Sequence, residues 1–237
     1  MKPKDRVIFA LDVPNIIDAE RYITLLDVNS REDYRVGAIK IGLELFMGAG
    51  LAVVRIIRRP VMLDLKLHDI PETVERAILR AGDLGVTFVT LHVQQRDTMR
   101  RAARAAEKGG IQLLGVTVLT SMTGADMDDL RYTTSEPSDR AIYLARMAWQ
   151  EGITGFVASA MEVGRLRAQL PKSLLVIPGI RPAGADAGDQ KRTGTPAQAI
   201  ADGADYLVVG RPIRDAPDPA AAADAIAAEL PPDRSAS

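Results

Sequence analysis

The run Val61-Met62-Leu63-Asp64-Leu65-Lys66-Leu67, followed after His68-Asp69-Ile70 by the helix-like stretch Pro71–Leu84, is the unit on which the fold turns. A short, mostly continuous apolar run suits a parallel strand covered on both faces, and Pro71 opens the next segment where a helix tolerates proline. The same strand-then-helix unit recurs along the chain. The other apolar runs are Val7–Val13, Ala38–Gly42, Phe88–Val93, Gln112–Leu119, Gly155–Ala160, Leu174–Gly179 and Tyr206–Gly210, and the helical segments include Thr98–Glu107, Ser138–Glu151 and Pro196–Asp202. Eight such units in 237 residues match the size of a closed (β/α)8 TIM barrel, with an open doubly wound sheet as the alternative. No linker-like block interrupts them, so residues 1–237 read as one domain. The Ala-rich segment Pro219–Leu230 is helix-prone, and the polar tail Pro231–Ser237 is expected to fray.

With 47% apolar and 26% charged residues, the chain can bury a full core, which excludes disorder as its main state. A net charge of −1 gives no reason to expect a nucleic acid or a membrane surface as partner. Cysteine is absent, which removes disulfides, thiolate nucleophiles and cysteine metal sites and fits a reducing compartment. No run approaches membrane-span length, and Met1 to Arg6 lacks the pattern of a secretory signal; the expectation is a soluble cytoplasmic protein.

In a barrel strand alternate residues point inward, and those near the C-terminal end face the mouth. Asp12 follows Ile8 and Ala10 at a spacing of two, Lys40 follows Ala38, and Asp64 and Lys66 follow Met62. Four ionisable groups are thus expected at one mouth. Each alone could be a solvated strand-end charge or half of a structural ion pair. Together, with alternating sign, they point to a use, because an unpaired buried ion costs several kcal/mol.

The other end of the mouth reads as a phosphate site. Pro178-Gly179-Ile180-Arg181 and Val209-Gly210-Arg211 each end an apolar strand with a glycine, which permits close backbone approach, and an arginine, which can pair with phosphate. Ordinary turns with solvated arginines are the plainer alternative. Between Pro182 and Pro196 lies a segment with Gly184, Gly188 and Gly194 and almost no apolar anchor, expected to close over the phosphate with Gln190 as a contact, the plainer alternative being a merely floppy connection. Of the two histidines, His92 ends the fourth strand and reads equally as a mouth or wall residue. His68 lies in the loop after the third strand, and the pair, far apart in sequence, makes no zinc site. The doublets Arg58-Arg59 and Arg100-Arg101 read as solvated helix faces.

The run Asp64-Leu65-Lys66-Leu67-His68-Asp69-Ile70-Pro71-Glu72-Thr73, with Ala10-Leu11-Asp12 and Lys40-Ile41-Gly42 upstream, resembles the orotidine 5′-phosphate decarboxylases. Val116-Thr117-Val118-Leu119-Thr120-Ser121-Met122, Pro178-Gly179-Ile180-Arg181-Pro182, Gly188-Asp189-Gln190 and Val209-Gly210-Arg211-Pro212 fall in that family's order. Departures are small: Leu67 in place of an aromatic, Glu72 in place of Asn, and Val93-Gln94-Gln95 after the fourth-strand histidine. The resemblance implies decarboxylation of orotidine 5′-monophosphate to UMP without metal or organic cofactor. It assigns Lys66 as proton donor and Asp64 beside the departing carboxylate. Lys40 and Asp69 complete an alternating chain of charge, and Asp69 and Thr73 reach the site of the neighbouring subunit in a homodimer. Asp12 and Lys40 would bind ribose hydroxyls, the Thr120 region the pyrimidine, and Gln190, Gly210, Arg211 and Arg181 the phosphate. Two rivals remain: the Mg²⁺-dependent phosphosugar decarboxylases and hexulose-phosphate synthases, which share the D-x-K-x-x-D run, and a non-catalytic nucleotide-binding barrel. Lys40 stands against the first, because that strand end would need a carboxylate ligand.

Overall fold

Every one of the eight apolar runs forms a parallel strand, and the strands close in sequence order into a barrel, β8 pairing with β1. The computed structural model describes residues 1–27, 34–182 and 194–232. Within them the order is β1 (Val7–Ala10), α1 (Ile16–Leu26), β2 (Ala38–Gly42), α2 (Leu43–Ala49), α3 (Ala52–Ile56), β3 (Val61–Leu67), α4 (Pro71–Asp83), β4 (Phe88–His92) and α5 (Arg96–Gly109). It continues with β5 (Gln112–Val116), α6 (Gly124–Asp129), α7 (Pro137–Gln150), β6 (Gly155–Val157), α8 (Val163–Gln169), β7 (Leu174–Ile177), α9 (Pro196–Ala201), β8 (Tyr206–Val209), α10 (Arg211–Arg214) and α11 (Pro219–Ala228). The closed ladder rules out the open doubly wound sheet. The expected tail is described only as far as residue 232.

Two apolar clusters follow from the period-two geometry of the strands. Ile8, Ala10, Ala38, Met62, Phe88, Leu114, Val176 and Val208 fill the barrel interior. Their alternating neighbours, among them Val7, Phe9, Ile39, Ile41, Leu63 and Leu207, pack outward against the helices. Because both faces are covered, the strands read as continuous apolar runs. Several runs outlast their strands: Leu11, Val118 and Ala158 are buried although they lie beyond the ends of β1, β5 and β6. Loop packing at the mouth, rather than the ladder, keeps them dry.

Helix positions follow the local signals. Pro71 occupies the first turn of α4, and Val74, Ile78 and Ala81 turn one face to the core. Asn15 caps α1 by accepting from the Asp18 N–H at 2.9 Å. Arg100 and Arg101 lie on the exposed face of α5 as expected, pairing with Glu151, Glu75 and Asp97. Arg59 corrects the sequence reading: it belongs to no helix and is buried, its guanidinium paired with Asp27 and lying 4.1 Å from the Tyr34 ring centroid. Removing it takes a buried guanidinium, its ion pair at the C-terminal end of α1 and its ring contact out of the packing, while the Asp27 side chain left behind is 44% exposed. Arg59→Ala is therefore expected to cost about 2 kcal/mol, a fall in Tm of roughly 4–8 °C, readable by thermal denaturation.

Candidate active site

The C-terminal ends of the strands open into one cavity of about 440 Å³, within the usual size of a small-molecule site. Asp12, Lys40, Asp64 and Lys66 all line it, as the spacing argument predicts. Asp12 sits two residues past β1 and accepts a hydrogen bond from Lys40 Nζ at 2.8 Å. Lys40, only 8% exposed, also faces Asp64 Oδ2 at 3.6 Å. Asp64 Oδ1 in turn accepts from Lys66 Nζ at 2.9 Å. The result is an unbroken series of alternating charge across three neighbouring strand ends. Gly42, which ends β2, leaves room for it: a Cβ there would lie 2.8 Å from Asp12 Oδ1 and 3.1 Å from Lys40 Nζ.

Plain strand alternation does not by itself deliver Lys66. Between Leu63 and Leu67 the β3 ladder slips, so that four steps along β3 match two along β4, from Val89 to Leu91. Lys66, within the slipped stretch, takes φ = 47°, the left-handed region that residues other than glycine rarely adopt. Thr90, wholly buried on β4, fills the gap: its Oγ1 accepts from the Lys66 N–H at 2.9 Å and lies 3.0 Å from Asp64 Oδ1. Burial pushes the Asp64 carboxyl up, but the Lys40 and Lys66 ammonium groups, with hydrogen bonds from Lys66 and Thr90, outweigh it and hold Asp64 below the usual carboxylate range.

The histidines are closer than the sequence suggests. Their ring centroids lie 5.3 Å apart, because Leu67 pairs with Leu91 and so brings the next residues, His68 and His92, side by side. Burial first, then the neighbouring His68 and Lys66, lower the His92 pKa against an opposing pull from Asp64. Among the described residues, no three His, Asp or Glu side chains gather as a metal-binding set.

At the opposite side of the cavity, Gly179 takes φ = 75°, a conformation that favours glycine, and turns the chain after β7. Arg181 lines the cavity, its guanidinium donating to the Ile180 carbonyl at 2.8 Å. Ile180 bridges Gly194, and the Arg181 N–H donates to the Gly194 carbonyl at 3.0 Å, so the two ends of the 182–196 segment are tied together. Gln190, Gly184 and Gly188 lie outside the described residues. Gly210 and Arg211 border the cavity after β8, and Thr120 borders it after β5. Val116, Val118, Leu119, Val157 and Val208 supply an apolar wall between the two polar ends. Asp69 and Thr73 are exposed and stand apart from the cavity of their own chain; the Asp69 carboxylate accepts from the Ile70 N–H at 2.7 Å.

Three features of the site escaped the sequence reading. Thr90 shares the inward spacing of Phe88 and would have emerged had the alternation been carried to the fourth strand. Arg214 lines the cavity and donates from Nη1 to the Asp12 carbonyl at 2.9 Å, joining the last and first strand ends. Its place one helical turn after Arg211 was the available signal. The third, the room made by Gly42, had no local signal beyond the glycine itself.

A pinned ammonium beside a carboxylate can oppose developing negative charge and deliver a proton, while arginines across the cavity can hold an anionic group at a distance. Residues 5–226 match the family described as orotidine 5′-phosphate decarboxylase / HUMPS. The orotidine 5′-phosphate decarboxylase of Anaeromyxobacter dehalogenans is 47% identical over 234 residues, covering 97% of this chain and 100% of the relative. That of Afipia carboxidovorans is 45% identical over 232 residues, covering 96% and 95%. The crystal structure of orotidine 5′-phosphate decarboxylase from Lactobacillus acidophilus superposes with a TM-score of 0.81 at 32% identity, covering 94% of this chain and 97% of that one. Sequence and shape agree from end to end, and the chain belongs to the orotidine 5′-phosphate decarboxylase / HUMPS family.

Proposed function

We propose that the chain decarboxylates orotidine 5′-monophosphate to UMP, the last step of de novo pyrimidine synthesis, with no metal or organic cofactor. The carrying observation is the charge series itself: Lys40 Nζ lies 2.8 Å from Asp12 and 3.6 Å from Asp64, so the end of β2 presents an ammonium where a Mg²⁺-dependent enzyme would need a carboxylate ligand. That arrangement disfavours the Mg²⁺-dependent branch of the same family. The two similar relatives from Anaeromyxobacter dehalogenans and Afipia carboxidovorans carry the decarboxylase name as well.

In the reaction, the bond from C6 to the carboxylate breaks and its electron pair stays on C6, in the ring plane where the π system cannot spread it. Carbon dioxide leaves. The Lys66 ammonium opposes the charge on C6 and then gives it a proton from Nζ. Asp64, beside the departing carboxylate, holds Lys66 in place. Asp12 and Lys40 bind the ribose hydroxyls, Thr120 the pyrimidine, and Arg211, with Gly210, Gln190 and Arg181, the phosphate. Binding energy gathered at that remote phosphate is then available to organise the reacting end.

A second copy of the chain completes the site with Asp69 and Thr73. Exposed apolar side chains support this: Ile70, 64% exposed, stands between those two residues in sequence, and Met47, 81% exposed, lies on the preceding βα unit. No helix among the described residues is long and apolar enough to cross a membrane, and we place the chain in the cytoplasm.

The test is direct. Purified protein with orotidine 5′-monophosphate and EDTA should lose the substrate's absorbance at the rate seen without chelator. Activity that vanishes with EDTA and returns with Mg²⁺ would overturn the reading. Arg211→Ala should lower kcat/KM roughly 10–100-fold, the value of one or two charge-assisted hydrogen bonds, with a rise in KM as its main part.

A further inference from the structure

We infer that Thr90 is a positioning residue whose hydroxyl locks the β3 bulge and sets the rotation of the Asp64 carboxylate, so that Asp64 and Lys66 face the cavity together. The inference rests on the reading of Lys66 and Asp64 given above. It begins with a hydroxyl that is wholly buried, in a barrel interior otherwise packed with Ile8, Met62, Phe88 and Leu114. A buried hydroxyl in such surroundings must be satisfied, and here both of its partners belong to the bulge.

The first contact is to backbone. Where β3 slips against β4, Lys66 falls between the paired positions Leu63–Val89 and Leu67–Leu91, and Thr90 Oγ1 accepts from its N–H at 2.9 Å. The hydroxyl thus satisfies the backbone N–H of the one β3 residue with left-handed backbone, φ = 47°. The second contact is to charge. The hydroxyl has a single hydrogen and two acceptors in reach, Asp64 Oδ1 at 3.0 Å and the Leu63 carbonyl at 3.5 Å; the shorter contact, to an ionised group, takes it.

Asp64 Oδ1 then receives two donors, Thr90 Oγ1 and Lys66 Nζ at 2.9 Å. This fixes the plane of the carboxylate and leaves Oδ2 turned toward Lys40 at 3.6 Å. One oxygen atom therefore ties the backbone of the proton donor to the side chain of the group beside it. Lacking the hydroxyl, Asp64 can rotate about its last torsion, and the Lys66 backbone can relax toward an ordinary strand conformation. Either motion moves the ammonium relative to C6, where a misplacement of about 1 Å can cost about 10²-fold in rate.

Thr90→Ala and Thr90→Ser form the decisive pair, since both lose the methyl group and they differ only in the oxygen. With orotidine 5′-monophosphate as substrate and UMP as the binding probe, Thr90→Ala should lower kcat roughly 10–100-fold while KM and UMP affinity stay near those of the parent. Thr90→Ser should recover most of the lost kcat. A loss of UMP affinity as large as the loss of kcat, a serine variant as impaired as the alanine variant, or an alanine variant turning over at the parental rate would each overturn the inference. Lys66→Ala measured in parallel separates the layers. If it is inactive while Thr90→Ala is unimpaired, only the role of Thr90 falls; if Lys66→Ala turns over normally, the reading of the site falls with it.

Discussion

Lys66→Ala should lower kcat by at least about 10⁴-fold while UMP binding stays measurable, because one side chain supplies two effects. General acid catalysis contributes typically about 10²–10⁴, and a preset charge aimed at the developing anion contributes about 10²–10³ more. Neither has a substitute at the same place. Lys40, the nearest other ammonium, is already engaged by Asp12 at 2.8 Å and lies on the far side of Asp64. The variant also isolates the ammonium cleanly. Alanine keeps the Cβ, and with it whatever the left-handed backbone at φ = 47° costs, so the bulge and its bond to Thr90 need not change. UMP carries neither the departing carboxylate nor the charge on C6, so its affinity reports the ribose and phosphate contacts. Steady-state turnover beside UMP titration measures both quantities. Near-normal turnover would remove Lys66 as the proton donor.

The parts of this molecule that the sequence made legible are those governed by local period. Continuous apolar runs announce buried parallel strands, and eight of them with intervening helical segments leave few architectures. Period two also put Asp12, Lys40, Asp64 and Lys66 at one mouth. Yet for Lys66 the correct placement came from a rule that the structure does not simply follow: the bulge between Leu63 and Leu67, not an even pleat, turns it inward. What stayed hidden depends on partners distant along the chain. Arg59 is buried only because Asp27 and Tyr34 meet it there, and no spacing around Arg59 announces that. His68 and His92 become neighbours through strand register, which composition does not encode. Strand ends were overextended where Leu11, Val118 and Ala158 remain buried after the ladder stops, since burial and hydrogen bonding part company at the mouth.

Asp64→Asn should lower kcat by about 10²–10³-fold and should also destabilise the protein in a pH-dependent way. The kinetic effect follows from geometry. An amide can keep one hydrogen bond from Lys66 but carries no charge to hold the ammonium, and the series of four groups passes from balanced to net positive. The stability effect follows from linkage. Burial works against the Asp64 carboxylate, yet Lys40, Lys66 and the hydrogen bonds from Lys66 and Thr90 overcome it and hold the pKa below its ordinary value. A carboxyl whose pKa is lower folded than unfolded contributes stability that is fully present above the unfolded value, about 3.9, and is lost as the pH falls through the folded value. At pH 7 the asparagine variant should therefore melt earlier than the parent by an amount corresponding to about 2 kcal/mol, less than a fully buried pair because Lys66 is partly exposed. Below about pH 4 the gap should narrow, because the carboxyl of the unfolded parent takes up its proton there while folded Asp64 stays ionised until the pH falls through its lower folded value. Thermal melts of both proteins from pH 7 down to pH 3 measure it. A gap that stays constant across that range would mean that the Asp64 charge does not stabilise the fold, and that the two lysines hold their places by packing alone.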